Sequence, residues 1–174
     1  MQRLLELDAR MSARLGLAER PGLLRNLAIL FGHSGDSWFW LAGLLLLAFV
    51  QTGYWRTWAI AYIVAILVTA LVVMAIKFSV RRARPAGEWG QMYRRTDPHS
   101  FPSGHAARAM LLAVLVQATG PAWLAAILLV WAPLVGLARI ATGLHYLSDV
   151  VVGWLLGAGL ALLLLQFAPF DLFL

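Results

Sequence analysis

Between Trp55 and Ile76 the chain carries one charged residue, Arg56, in a run that is otherwise almost wholly apolar. A helix that crosses a bilayer needs about 20 mainly apolar residues, so this run constrains the fold more than any other feature. Four further segments, roughly 37–53, 106–119, 122–137 and 150–167, read the same way. The first two of these are short for a span unless their polar flanks continue the helix. Hydrophobic residues make up 61% of the 174 and charged residues 13%, against about half and about a quarter in soluble domains. The expectation is an all-α, polytopic membrane helical bundle with about five transmembrane helices.

The length suits one membrane-embedded domain over 1–174, with a transmembrane core at 37–168. Two N-terminal helices, within 1–35, precede the first span. Leu4, Leu7, Met11 and Leu15 recur at helical spacing while Arg3, Arg10 and Arg14 fall elsewhere around the wheel, as in an amphipathic interfacial helix. A helix packed on the rest of the protein is the alternative. Glu6 and Asp8 interrupt any signal-peptide core. Residues 23–31 are too few to span and suit a second interfacial or re-entrant helix. Trp38, Trp40, Tyr54, Trp55, Trp58 and Trp123 lie near span ends, as an aromatic belt would. Gly153 and Gly157 form a small-xxx-small pair that permits close helix packing, and Pro133 is expected to kink its span. The formal charge of +6 suits anionic lipid or a phosphate substrate rather than nucleic acid. The chain has no cysteine, so disulfides and cysteine metal sites are excluded.

Residues 77–105 form the one long polar segment, an ordered extramembrane loop. With five spans, both ends of this loop, the junction between the fourth and fifth spans, and the segment before the first span share one membrane face. Lys77, Arg84, His105, Arg139, His145 and Asp149 therefore gather there. Lys77, Arg81 and Arg84 share one face if the helix continues to Pro85, which ends it. Alone, such cations also read as snorkelling residues. In FPSGH, proline, serine and glycine open a helix whose free N–H groups bind anions, with Gly104 permitting close approach and His105 in the first turn. Ser103 as a simple N-cap and His105 as an interfacial residue is an equal alternative. If His145 begins a helix, Asp149 lies one turn on and can hold one imidazole N–H, leaving the other nitrogen to attack. Arg139 suits phosphate oxygens. A polar helix junction is the bland alternative, disfavoured because ionisable residues within membrane segments are costly.

Three cations, backbone donors and two histidines suit phosphoryl transfer, in which negative charge spreads over three equatorial oxygens. K-x6-RP at 77–85, PSGH at 102–105 and R-x5-H-x3-D at 139–149 resemble the three signature motifs of the type 2 phosphatidic acid phosphatase superfamily, which shares its site with vanadium haloperoxidases. The resemblance covers about residues 38–167. It implies a metal-independent, cofactor-free membrane enzyme that hydrolyses a lipid phosphate or diphosphate: phosphatidic acid, phosphatidylglycerophosphate, a polyprenyl phosphate or diphosphate, or lipid A. It further implies that His145 is the nucleophile forming a phosphohistidine, Asp149 orients it and His105 is the general acid. Lys77, Arg84 and Arg139 would bind phosphate, with Ser103 and Gly104 lining its cradle. Two departures stand out. Ala138 replaces the family's serine, removing a phosphate-contacting hydroxyl, and the chain is expected to lack the additional N-terminal span of many bacterial members.

Asp36 or Ser37 reads as a helix N-cap, with a place in the pocket for His33 and Asp36 as the accessory alternative. Arg81, Arg82 and Arg108 would add positive potential without contact, and Arg94 and Arg95 would meet a headgroup or solvent. Every Lys and Arg except Arg56 falls on the site's side, so the positive-inside bias puts that face in the cytoplasm of a bacterial inner membrane. Rival readings are a phosphotransferase of the same superfamily, a non-enzymatic lipid-phosphate binding or transport protein, and a metal hydrolase using His33, His99, His105 and His145. No HxxxH-type pair supports the last.

Overall fold

The structure, a computed structural model, describes residues 2–17, 21–86 and 97–167. Among them it is all α, with seven helices: α1 (Gln2–Arg14), α2 (Leu23–Ser34), α3 (Ser37–Val50), α4 (Gly53–Val80), α5 (Gly104–Thr119), α6 (Ala122–Ala141) and α7 (Leu147–Phe167). α4, α6 and α7 are long and apolar enough to cross a membrane, and α3 is a shorter apolar helix. Each apolar run of the sequence became one helix because hydrocarbon leaves the backbone no partner outside its own hydrogen-bond ladder. Pro133 is accommodated inside α6, which continues through it.

α5 is the axis of the bundle. Ala106, Ala107, Ala109, Leu111, Leu112 and Ala113 on it are buried, and α4, α6 and α7 all pack against it. The closest approach is at α7. A Cβ on Gly157 would stand 2.0 Å from the Ala107 carbonyl oxygen, and one on Gly153 would stand 2.7 Å from that of Ser103. The small-xxx-small pair is therefore the seam where two backbones touch. α3 packs on α4, α2 runs along α6, and α1 meets the start of α7. Leu45, Phe49, Leu71, Val130, Leu155 and Leu162 are exposed on the outside, an apolar exterior that matches lipid rather than water.

α1 answers both expectations made for it. Leu7, Met11 and Leu15, four residues apart, are exposed, while Ser12 is buried and its hydroxyl accepts from the Leu147 N–H at 2.8 Å. The helix thus carries an outward apolar row and is fastened to the protein by its polar row. The side chain of Leu4 lies outside the described residues.

Replacing Gly157 by valine should destabilise the protein by about 1–3 kcal/mol or more, since overpacking cannot be relieved against backbone. Gly43→Ala, whose Cβ would meet nothing within 4 Å, should leave stability unchanged within about 0.5 kcal/mol. Thermal melting of both variants in detergent checks this.

Candidate active site

The site lies where the C-termini of α4 and α6 meet the N-termini of α5 and α7. α4 ends at Val80, four residues before Arg84, because Arg81 adopts a left-handed cap (φ 52°, ψ 37°) with its N–H on the Lys77 carbonyl. The expected helical face of Lys77, Arg81 and Arg84 is therefore not formed. Arg81 is exposed and donates to the Phe78 carbonyl at 2.9 Å, outside the cavity. Beyond it the chain is extended, and Ala83 pairs antiparallel with His99. This bridge returns the loop to α5 and turns Arg84 inward. Arg84 donates to the Leu144 carbonyl at 2.9 Å, to Asp97 Oδ2 at 2.8 Å and to His145 Nε2 at 3.3 Å.

The junction between α6 and α7 is a turn, not the helix start expected at His145. Thr142 caps α6 by donating its hydroxyl to the Ala138 carbonyl at 2.8 Å. Gly143 takes φ 68°, a conformation that favours glycine, and α7 begins only at Leu147. His145 is buried in this turn, with Nδ1 3.5 Å from Asp149 Oδ2. A guanidinium can only donate. Its approach to Nε2 therefore assigns the lone pair to Nε2 and the proton to Nδ1, facing Asp149. Burial foremost, with the Arg139 and Arg84 charges, outweighs the hydrogen bond to Asp149 and pushes the imidazole down to about 3. His145 is neutral at pH 7.

Asp149 is wholly buried and fixed from two directions. Its Oδ2 accepts from the Tyr146 N–H at 2.9 Å, the backward half of a capping box. Its Oδ1 accepts from Arg82 at 2.7 Å. The same guanidinium reaches Ser148 Oγ at 2.7 Å and Asp8 Oδ2 of α1 at 2.7 Å, and lies 4.1 Å over the Tyr146 ring. Burial raises the Asp8 carboxyl, but hydrogen bonds from Ser148 and Arg82 prevail and hold it below its ordinary value.

A cavity of about 210 Å³ is lined by Lys77, Arg84, Arg139, Gly104, His105 and His145, together with Asp97 and Arg108. This brings together six of the eight residues assigned from the motifs to catalysis or phosphate binding, with Asp149 behind His145. Ser103 caps α5 from outside the lining: its Oγ accepts from the Ala106 N–H at 3.5 Å, and its own N–H donates to the Asp149 carbonyl at 2.9 Å. A second cavity, of about 520 Å³, lies on the other side of His145 and is bounded by Ser12, Gly16, Pro85, Gly143 and Tyr146. Ala138 faces neither. It packs with Ala28 and Ala141 in an apolar cluster between α2 and α6.

Asp36 occupies the N-cap position of α3 but makes no side-chain cap bond. Its Oδ1 lies 2.6 Å from His105 Nε2 and its Oδ2 3.1 Å from His33 Nδ1. Burial raises this carboxyl, but the two histidine hydrogen bonds prevail and hold it well below the usual range. Arg108 lines the cavity and donates to the Gly35 carbonyl at 3.1 and 2.5 Å. The four histidines do not converge: among the described residues no group of three His, Cys, Asp or Glu is placed to hold a metal ion. Arg94 and Arg95 lie outside the described residues.

Asp97 and Asp8 escaped the sequence reading, and Arg82 was taken for a remote charge. Lys77 Nζ donates to Asp97 at 2.8 and 3.0 Å and to the His99 carbonyl at 2.6 Å. With the Arg84 contact, one carboxylate sits between two cations that the motif resemblance assigns to phosphate. Asp97 lies in TDPHS, where no spacing rule separates a site carboxylate from a turn residue. Asp8 sits some 140 positions before the Ser148 it binds. The doubled arginine at 81–82 was the available signal for Arg82, but which of the two turns inward depends on the left-handed cap.

The PAP2 superfamily profile matches residues 58–172. The chain is 36% identical over 157 residues to a decaprenylphosphoryl-5-phosphoribose phosphatase of Mycobacterium tuberculosis, covering 88% of this chain and 85% of that one. It is 29% identical over 148 residues to an undecaprenyl-diphosphatase of Sulfolobus acidocaldarius, covering 82% and 70%. Among solved structures, a transmembrane PAP2-type phosphatidylglycerolphosphate phosphatase from Bacillus subtilis superposes with a TM-score of 0.79 at 24% identity, over 96% of this chain and 87% of that one, a likeness of fold.

The depressed His145 imidazole has a consequence for stability. The unfolded chain binds a proton there below its ordinary value of 6.5, and the folded protein does so only near 3. The stability it contributes is full above pH 6.5 and is lost as pH falls through that window, by at most about 1.4 kcal/mol per unit. Melting temperatures between pH 7.5 and 4.5 should fall less steeply for His145→Gln than for the wild type.

Proposed function

The chain belongs to the PAP2 superfamily and is a membrane lipid phosphatase, and from that premise we propose that it acts without a metal, through a phosphohistidine on His145. The observation that carries this is the pairing of His145 with Arg84 on Nε2 and Asp149 on Nδ1. It leaves a neutral imidazole with its lone pair facing a cationic cavity. In the first step Nε2 attacks phosphorus and the bond to the leaving oxygen breaks, while His105 gives that oxygen a proton. In the second, water attacks the phosphohistidine, His105 takes its proton, and phosphate leaves. Lys77, Arg84 and Arg139 neutralise the equatorial oxygens, and the α5 N-terminus at Ser103 and Gly104 adds backbone dipoles. Phosphate must displace the Asp97 carboxylate from Lys77 and Arg84. His145 borders both cavities, which supports phosphate in the inner one and the rest of the headgroup in the outer one.

The whole chain acts as one membrane-embedded unit with five spans, α3 to α7, the shorter α3 and α5 included. The site faces the cytoplasm, because every Lys and Arg except Arg56 falls on its side. The relatives' names direct the substrate search first to polyprenyl phosphates and diphosphates.

Purified protein should release phosphate from members of a lipid-phosphate panel equally with and without chelator. Loss with chelator and recovery with added metal would instead support the metal-hydrolase reading. His145→Ala should abolish release, His105→Ala should lower kcat by about 10²–10⁴-fold, and Asp149→Ala should be severely impaired, all without loss of fold. Near-normal turnover by His145→Ala removes the nucleophile assignment. For sidedness, an impermeant thiol reagent on whole cells should label Thr52→Cys and spare Gln91→Cys.

A further inference from the structure

The loop between α2 and α3 is held with more bonds than a connection of two residues needs. The Ser34 carbonyl accepts from Trp40 Nε1 at 3.0 Å, and the Ser34 hydroxyl accepts from Trp131 Nε1 at 2.8 Å. The Gly35 carbonyl takes two bonds from buried Arg108. Gly35 has no room for a side chain: a Cβ would lie 2.7 Å from Val135 Cγ1 and 3.3 Å from His105 Cδ2. Four hydrogen bonds and a steric constraint thus press this loop onto His105. The result is a hydrogen-bonded chain from His33 Nδ1 to Asp36 Oδ2 and from Asp36 Oδ1 to His105 Nε2, at 3.1 and 2.6 Å. The His33 side chain is 47% exposed and that of His105 17%, so the chain runs from water to the cavity wall. His33 and Asp36 both precede the stretch matched by the family profile.

We propose that Asp36 is a positioning residue for the general acid, holding His105 by Nε2 as an imidazolium with Nδ1–H left for the leaving oxygen, and that His33 steadies the second oxygen of Asp36. The inference rests on the lipid phosphatase reading above and assigns a residue to it. Around His105 stand Arg139 from α6, Arg108 from its own helix, and Lys77, Arg84, Asp97 and His145 across the cavity. Cations outnumber carboxylates there, and like charge disfavours an imidazolium. Asp36 supplies the opposing charge at hydrogen-bond distance. In the first step the His105 Nδ1 proton passes to the leaving oxygen while Nε2 keeps its own proton on Asp36 Oδ1; in the second the attacking water returns a proton to Nδ1, so each group ends at its starting charge.

An acid matters in proportion to how poor the leaving group is, and that separates this role from a structural one. Two substrates with the same tail serve as probes: dodecyl phosphate, which departs as an alkoxide, and a dodecyl-substituted nitrophenyl phosphate, which departs as a stable phenolate. With kcat/KM as the readout, Asp36→Asn should lose about 100-fold on the alkyl substrate and at least about tenfold less on the aryl one. Asp36→Glu should recover a large part of the alkyl rate. His33→Ala should show a smaller loss of the same sense. Equal losses on both substrates, or none, overturn the assignment of Asp36. Absence of loss at His33→Ala overturns its part in steadying Asp36. Wild-type protein inactive on both substrates and on the lipid panel would instead remove the phosphatase reading, a result distinct from either. Melting temperature in detergent confirms that each variant is folded.

Discussion

Lys77, Arg84, Arg108 and Arg139 are all buried at one end of the bundle, and the architecture of that end follows from keeping four cations together out of water. Charges removed from water must be paired or satisfied by oriented dipoles. Each meets this differently. Lys77 takes a carboxylate and a carbonyl; Arg84 takes a carboxylate, two carbonyls and an imidazole; Arg108 takes the carbonyl of a glycine that has no room for a side chain. Four separate chain segments are fixed by these bonds. A cation cluster and a folding constraint are here the same set of contacts, since like charges gathered at one place have to be held apart from one another by the chain.

Carboxylates make the difference between a cluster of charges and a site with direction. Asp149 and Asp36 stand behind the two histidines, each on the nitrogen away from the other's task, and each is fixed by elements outside the pair. Asp149 is aimed by Arg82, which is itself held by Asp8 on α1. Asp36 is held in a loop clamped by Trp40, Trp131 and Arg108. The N-terminal helices are in this way part of the site's support. α1 reaches Asp149 and His145 through one arginine, and the loop after α2 carries the carboxylate that meets His105.

The helices were legible because hydrocarbon tolerates only long apolar helical runs, and the observed helices fall where those runs lie, with ends shifted by a turn or less at most junctions; three of them are long and apolar enough to cross. The motif residues were legible because phosphate chemistry requires rare types at fixed spacing. What could not be read were pairings across long separations and local departures from helix. Asp8 with Ser148 is one; the bond leaves no periodic trace in either segment. The left-handed cap at Arg81 is another: it ends α4 early, turns Arg81 out and Arg82 in, and reverses the roles that helical spacing suggested. Asp36 at the α3 N-cap looked like a capping residue and has the backbone of one, but its side chain is claimed by two histidines. Ala138 explains itself only in three dimensions, since its neighbours are Ala28 and Ala141 rather than the cavity.

α5 has 16 residues and is therefore about 24 Å long, while the hydrocarbon layer is about 30 Å thick. In the five-span arrangement proposed above, a central helix that short would leave its N-terminus below the headgroup plane by up to about 6 Å. His105 and the cations around it would then sit in a depression of the membrane's electrostatic profile rather than on its surface. A lipid phosphate would travel inward along the bilayer normal to reach them, and the depth of the reaction would be set by the length of one helix rather than by the loops above it.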